Sequence, residues 1–219
     1  MFNKNNPSKK FLTLQEFYKS LHAGNLTNEE KNNIYNGKTT MVFAKILKEI
    51  IKINKIKKIL DYGSGKGERY FKASEFGNET YPPLEKYWGI NPTLYDPGVP
   101  HPKPVGKKFD MVIFGFCLYL IDRKDLFQSI SEADRVLKDG GLLAIIDFDP
   151  SKPYENPYSH KQGIKSYKNN YSDIFLSSGH YSLMYKHSFS HEGSTFHETV
   201  DERVSISLLF KQEEKVYSN

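Results

Sequence analysis

The chain has one cysteine, Cys117, in 219 residues. A single thiol can form neither an intramolecular disulfide nor a cysteine-cluster metal site, and no metal is expected. Long apolar runs are also missing. The longest, Met111–Ile121, contains Gly115 and is nearer strand length than the roughly 18–20 residues that cross a bilayer, so no membrane partner is expected. Met1–Lys10 is rich in Asn and Lys and lacks an apolar segment. No signal peptide is therefore expected, and a cytoplasmic location follows by default. Acidic residues are scarce at one end. Residues 1–60 carry a net +8 and residues 61–219 a net −3, within a total of +5. A basic lobe could attract a polyanion. Its lysines are not interleaved with aromatic residues as single-strand binding requires, so nucleic acid is not the expected partner.

What is present is a globular composition: 38% hydrophobic, 14% aromatic and 26% charged, which does not describe a disordered chain. The length suits one domain with embellishments. Leu14, Phe17, Tyr18 and Leu21 have helical spacing over Thr13–Ala23, and Thr27 with Glu30 caps a second short helix, Asn28–Tyr35. These form a helical cap over residues 1–38. A stronger amphipathic helix runs from Thr39 or Thr40 to about Ile53.

Strands and helices then alternate. Ile56–Tyr62 reads as a strand, Glu68–Glu75 as a helix, and either Tyr87–Ile90 or Thr93–Tyr95 as a strand. Asp96–Gly106 is too rich in proline for regular structure. Phe109–Phe116 is a buried strand, Arg123–Leu137 an amphipathic helix, and Leu142–Phe148 another buried strand after the Asp139-Gly140-Gly141 turn. Pro150–Ser178 is a long connection, and Tyr181–Phe189 and Arg203–Lys211 are two final strands. This order predicts a mostly parallel α/β sheet with helices on both faces. Ligands in such sheets bind at the carboxyl ends of the strands.

The clearest motif lies at such an end: Ile59-Leu60-Asp61-Tyr62-Gly63-Ser64-Gly65-Lys66-Gly67. Its glycines can take positive φ and let backbone approach a ligand closely. A dinucleotide fingerprint, G-x-G-x-x-G, would place its third glycine at position 68, where this chain has Glu68. Asp61, two residues before the first glycine, also suits a cationic ligand better than a pyrophosphate.

With Asp61 before Gly63, Gly65 and Gly67, the sequence resembles the class I S-adenosylmethionine (SAM)-dependent methyltransferases. Phe109-Asp110-Met111-Val112 and the Val136–Ile146 segment, with its Val-Leu-Lys and Asp-Gly-Gly, match further family patterns, and the last two strands fit the family's antiparallel pair. The resemblance covers about residues 39–211. It implies a Rossmann-like methyltransferase domain over 39–219, with an acceptor-site insertion at about 150–180, and SAM as cofactor, leaving as S-adenosylhomocysteine. It implies that Asp61, Tyr62, Gly63, Ser64, Gly65 and Gly67 contact the methionine part, that Asp96 with Pro97 grips the ribose, and that Phe116, Cys117 and Leu118 line the cleft. No third strand or adenine-contacting acid is recognisable between Pro97 and Phe109.

Methyl transfer from a sulfonium depends heavily on positioning, and a hydroxyl acceptor also gains from a base. Gly115-Phe116-Cys117-Leu118-Tyr119 lacks the signatures of amine- and cytosine-directed nucleic-acid methyltransferases. The connection after the second buried strand is the richest acceptor region, with Asp147, Asp149, Tyr154, Asn156, Tyr158, His160, Tyr167, Lys168 and Tyr171. His160 and Asp149 are the candidate catalytic bases, and Tyr154, Tyr158, Lys168 and Tyr171 the candidate acceptor contacts. The wider pattern resembles bacterial methyltransferases associated with surface polysaccharides. That implies a small polar acceptor, sugar-linked or phosphorylated, methylated at oxygen. An RNA or protein methyltransferase and a non-catalytic SAM-binding regulatory subunit are the alternatives, and the oligomeric state is open.

Overall fold

A computed structural model describes residues 43–76, 79–96, 108–159, 162–190 and 195–213, with Leu12, Thr13, Glu16, Lys19, Met41, Pro104 and Gly106 besides. Apart from the first four of those single residues, the cap expected over residues 1–38 lies outside them, as do Pro97 and His160.

Helix α1, Ala44–Ile53, leads to β1, Ile59–Tyr62, and α2 is a short turn of helix, Glu68–Phe71. Strands β2, Ser74–Phe76, and β3, Glu79–Tyr81, pair as an antiparallel hairpin where the sequence suggested that the helix continues to Glu75. Gly77-Asn78 lies between these two short runs, a dipeptide suited to a tight hairpin, and Lys72 has already turned extended at φ −117°. Helix α3, Leu84–Trp88, precedes β4, Thr93–Tyr95, which decides between the two expected strand positions. Strand β5 is Phe109–Gly115, α4 is Leu126–Val136 and β6 is Leu137–Phe148. Strand β6 starts earlier than expected because Leu137 already pairs with Phe109. The register then shifts before Met111 pairs with Leu142, accommodating the Asp139-Gly140-Gly141 turn. The long connection holds a second hairpin, β7 (Tyr154–Pro157) with β8 (Lys165–Lys168), and α5, Ser172–Leu176. Strands β9, Tyr181–Ser190, and β10, Arg203–Lys211, close the fold.

The main sheet has the order β4-β1-β5-β6-β10-β9. The first four strands are parallel, and β10 pairs antiparallel with both β6 and β9. Alternation along β5 explains the two layers. Met111 and Ile113 face α1, α2 and α3 through Leu47, Tyr70 and Trp88, whereas Val112 and Phe114 face α4 and α5 through Leu126, Val136 and Phe175. Among the described residues no strand lies beyond β4, and no helix is long and apolar enough to cross a membrane.

The parallel strands share one polarity. The glycine loop, Asp96, Phe116–Leu118 and Asp147–Asp149 therefore gather at one end of the sheet. Lys57, Lys58, Lys108 and Lys138 gather at the other.

Candidate active site at the carboxyl end of the sheet

The loop after β1 turns through three left-handed glycines, Gly63 (φ 86°), Gly65 (φ 55°) and Gly67 (φ 63°). Two of them also make close approaches. A Cβ on Gly63 would lie 2.5 Å from the Cβ of Cys117, and one on Gly67 would lie 2.3 Å from Cδ1 of Leu94. The loop amides are used within the protein. Gly63 and Ser64 donate to the carbonyl of Tyr95 at 2.7 and 3.3 Å, and Gly67 donates to the carbonyl of Ser64 at 3.1 Å. Gly65 donates to Oδ2 of Asp96 at 3.0 Å. A pyrophosphate-binding loop needs such amides for the ligand. This one commits four of them internally.

Carboxylates surround the loop instead. Asp61 is buried, and the Tyr70 hydroxyl donates to its Oδ2 at 2.6 Å. Burial pushes the Asp61 carboxyl up to about 7. The Tyr70 bond opposes that rise and the Asp96 charge adds to it. Asp147, at the end of β6, is 2% exposed. Its Oδ1 accepts the Phe148 amide at 2.8 Å and its Oδ2 the Tyr119 amide at 3.3 Å. Burial pushes it too up to about 7, against the opposing pull of those amides and of Arg123. Cys117 sits among these acids. Its thiol donates to the Tyr62 carbonyl at 3.2 Å, and burial together with the charges of Asp147, Asp61 and Asp96 raises its pKa well above the ordinary thiol value.

Beside Cys117, Phe116 has φ 49°, a left-handed conformation that costs a non-glycine residue on the order of 1–3 kcal/mol. The Cβ position of neighbouring Gly115 meets no atom within 4 Å, although β5 lies inside the sheet between β1 and β6. Open space at the carboxyl end of a central strand, ringed by acids, suits a ligand carrying positive charge. The residues present thus fit SAM, whose ammonium and sulfonium are cationic, better than a dinucleotide.

The remaining sequence candidates separate. The Tyr62 ring turns to the α4 face, 5.0 Å from Tyr95 and 5.2 Å from Phe114. Leu118 is buried and opens a 3-10 turn, Leu118–Leu120. Asp149 is held by Lys186 at 2.7 Å and the Ser188 hydroxyl at 3.1 Å. Tyr154 and Lys168 meet on Asp201. The phenol donates at 2.6 Å and the ammonium at 2.8 Å, with Asn156 adding a third bond at 2.9 Å. Lys168 also lies 4.0 Å above the Phe148 ring, so the β7–β8 hairpin covers the end of β6. Tyr158 packs with Leu120, Ile164 and Tyr119, and Tyr171 is buried near Arg123, whose guanidinium stacks 4.3 Å from Tyr167.

Sequence reasoning missed Asp201, Arg123 and Tyr119. Asp201 sits 33 residues after Lys168 and 47 after Tyr154, in a polar loop with no periodic signal. Arg123 carries the one available cue, a lone arginine just before the α4 helix.

No protein-family model matches the chain, and no curated protein sequence does. Solved structures do. The chain is similar to the 1,6-didemethyltoxoflavin-N1-methyltransferase of Burkholderia thailandensis, solved with 1,6-didemethyltoxoflavin and S-adenosylhomocysteine. Identity is 14%, the match covers 97% of this chain and 94% of that one, and the TM-score is 0.59. The fold is that of the class I SAM-dependent methyltransferases. The methyltransferase fold is shared with the N-methyltransferase NodS of Bradyrhizobium japonicum WM9, in complex with S-adenosylhomocysteine (12% identity, 90% of this chain, 98% of that one, TM-score 0.54). It is shared too with the mitomycin 7-O-methyltransferase MmcR (11%, 89%, 60%, TM-score 0.52).

Proposed function

We propose that the chain is a SAM-dependent methyltransferase acting on a small polar acceptor, at oxygen. One observation carries the cofactor reading. The amides of Gly63, Ser64, Gly65 and Gly67 are spent inside the protein, while Asp61, Asp96 and Asp147 surround Cys117 at the same strand ends. That cradle offers negative charge, where a nicotinamide or nucleoside-phosphate site would offer bare amides.

When bound, SAM supplies an activated methyl group on a sulfonium. The glycine loop, Asp61 and Asp96 would hold it, and Phe116 and Cys117 would border it. Transfer to a hydroxyl would also require that its proton leave. Asp147 suits that proton, because a carboxyl poised near 7 can accept it at neutral pH. Asp149, already held by Lys186 and Ser188, is the less suitable of the two. The β7–β8 hairpin supplies the acceptor side. Tyr154, Asn156 and Lys168 already converge on one carboxylate, and a sugar-linked or phosphorylated acceptor offers comparable oxygens.

Calorimetry with SAM and S-adenosylhomocysteine tests the reading, with Gly65→Asp as control. Micromolar binding by the wild type and loss in the variant are expected. No binding by the wild type, or tighter binding of a nicotinamide dinucleotide, overturns it. A metabolite screen with methyl-labelled SAM then identifies the acceptor.

A further inference from the structure

The opposite end of the sheet carries a second feature that methyl transfer does not use. Lys57 and Lys58 precede β1, Lys108 precedes β5 and Lys138 stands at the start of β6. These strands are neighbours in the sheet, spaced about 4.8 Å apart. Their starts are tied together. The amides of Lys57 and Lys58 donate to Oδ2 of Asp110 at 2.9 and 2.8 Å, the Lys138 ammonium donates to its Oδ1 at 2.6 Å, and the Asp110 amide donates to the Lys58 carbonyl at 2.9 Å. The end of α1 adds Lys52 and Lys55, joined by a bond from the Lys55 amide to the Lys52 carbonyl. All six lysines are exposed. Carboxylates lie among them too: Glu49, Asp110, Asp139 and Glu213, whose amide donates to Oδ1 of Asp139 at 2.7 Å, and Asp110 is already committed to two amides and one ammonium.

At the end of α1, between Lys52 and Lys55 in the chain, Ile53 is 73% exposed, the most exposed large apolar side chain among the described residues. An exposed isoleucine flanked by Lys52 and Lys55 does little for a phosphodiester chain. Among the described residues the strand starts offer no exposed ring on which bases could stack, since Phe109 is buried. The same pair of features suits a lipid headgroup layer. There each lysine gains about 1 kcal/mol near an anionic surface, and an aliphatic side chain can enter the acyl boundary.

We propose that this end of the sheet is a peripheral docking face for an anionic lipid bilayer, with Lys52, Lys55, Lys57, Lys58, Lys108 and Lys138 as the charge layer and Ile53 as the apolar anchor. No spanning segment is involved. Docking by the amino ends of the strands turns their carboxyl ends, and the cleft there, away from the bilayer. A membrane-held enzyme would then work on acceptors arriving from the aqueous side.

The test is co-sedimentation of the full chain with vesicles of phosphatidylcholine containing about 30 mol % phosphatidylglycerol, against pure phosphatidylcholine. Binding to the anionic vesicles alone is expected, and it should disappear at about 0.5 M sodium chloride. The double variant Lys57→Glu/Lys58→Glu should lower partitioning by about tenfold or more. Ile53→Ser should lower it severalfold while leaving the salt dependence unchanged, and Lys72→Glu, at the other end of the sheet, should match the wild type. The lysines of residues 1–38 remain in every variant, so a loss must come from this face. Circular dichroism confirms that the variants are folded. Equal binding to neutral vesicles overturns the proposal. So do variants that bind like Lys72→Glu, and so does displacement of the vesicles by duplex RNA.

Discussion

The two ends of the sheet treat the same side chain in opposite ways. At the amino end, Asp110 accepts two backbone amides and a lysine. Although burial works to raise its pKa, those partners outweigh it and hold the carboxyl below its usual range. At the carboxyl end, Asp61 and Asp147 are more deeply buried, meet no lysine or arginine hydrogen bond among the described residues, and are pushed up to about 7. Asp110 is electrostatically settled. The carboxyl end holds acids whose ionisation awaits a positive partner. Buried carboxyls pushed up in this way are a sign of where a ligand acts.

The largest expected effect on this contrast comes from Gly63→Ala. Its Cβ would meet Cys117 at 2.5 Å, on a backbone at φ 86°. A destabilisation of about 2 kcal/mol or more is expected in denaturant titration, with SAM binding weakened at least about tenfold. The next concerns protons. Asp61 and Asp147 keep protons in the folded protein that the unfolded chain loses near 3.8. Stability of the ligand-free protein should therefore fall as pH rises from about 4 to about 7, by at most about 1.4 kcal/mol per pH unit for each group. A cation binds the ionised form, so SAM affinity should tighten between about pH 6 and 8, with proton release visible in calorimetry in two buffers. Asp61→Asn should flatten both profiles. A flat wild-type profile would remove the contrast between the two ends.

Smaller is the effect of Asp201→Ala. It leaves the Lys168 ammonium, 9% exposed, without its carboxylate above Phe148. A loss of about 1–3 kcal/mol and faster proteolysis within residues 154–168 are expected, with Lys168→Met recovering part of the stability. Smallest is Lys138→Ala at the amino end. Its pair with Asp110 is half exposed and should cost no more than about 1 kcal/mol, with SAM affinity unchanged.

Most of the sheet was legible because its signals are local. Strand β5 is a continuous apolar run, α4 has an inward stripe, and the glycine loop announces both a strand end and a turn. The β2–β3 hairpin was not recognised, because Glu68–Glu75 looked helical and hid it. The β7–β8 segment was visible only as a long aromatic connection. Its hairpin is held by Asp201, distant in sequence, through bonds between single polar side chains, and such bonds leave no spacing to detect. Asp96 was expected from its place after a strand, yet its bond to the Gly65 amide depends on how the loop folds back, which residue order alone does not reveal. The proline-rich run after Asp96, where no strand could be recognised, lies almost wholly outside the described residues.

The fit of Cys117 against Gly63 has a practical consequence. A protein with one thiol needs no engineering to carry a single label, and this thiol sits where loop, strand end and cleft meet. Its rate of alkylation is a built-in gauge of how often the loop lifts off the strand, and the slowing of that rate by a bound compound would rank ligands before any acceptor is known.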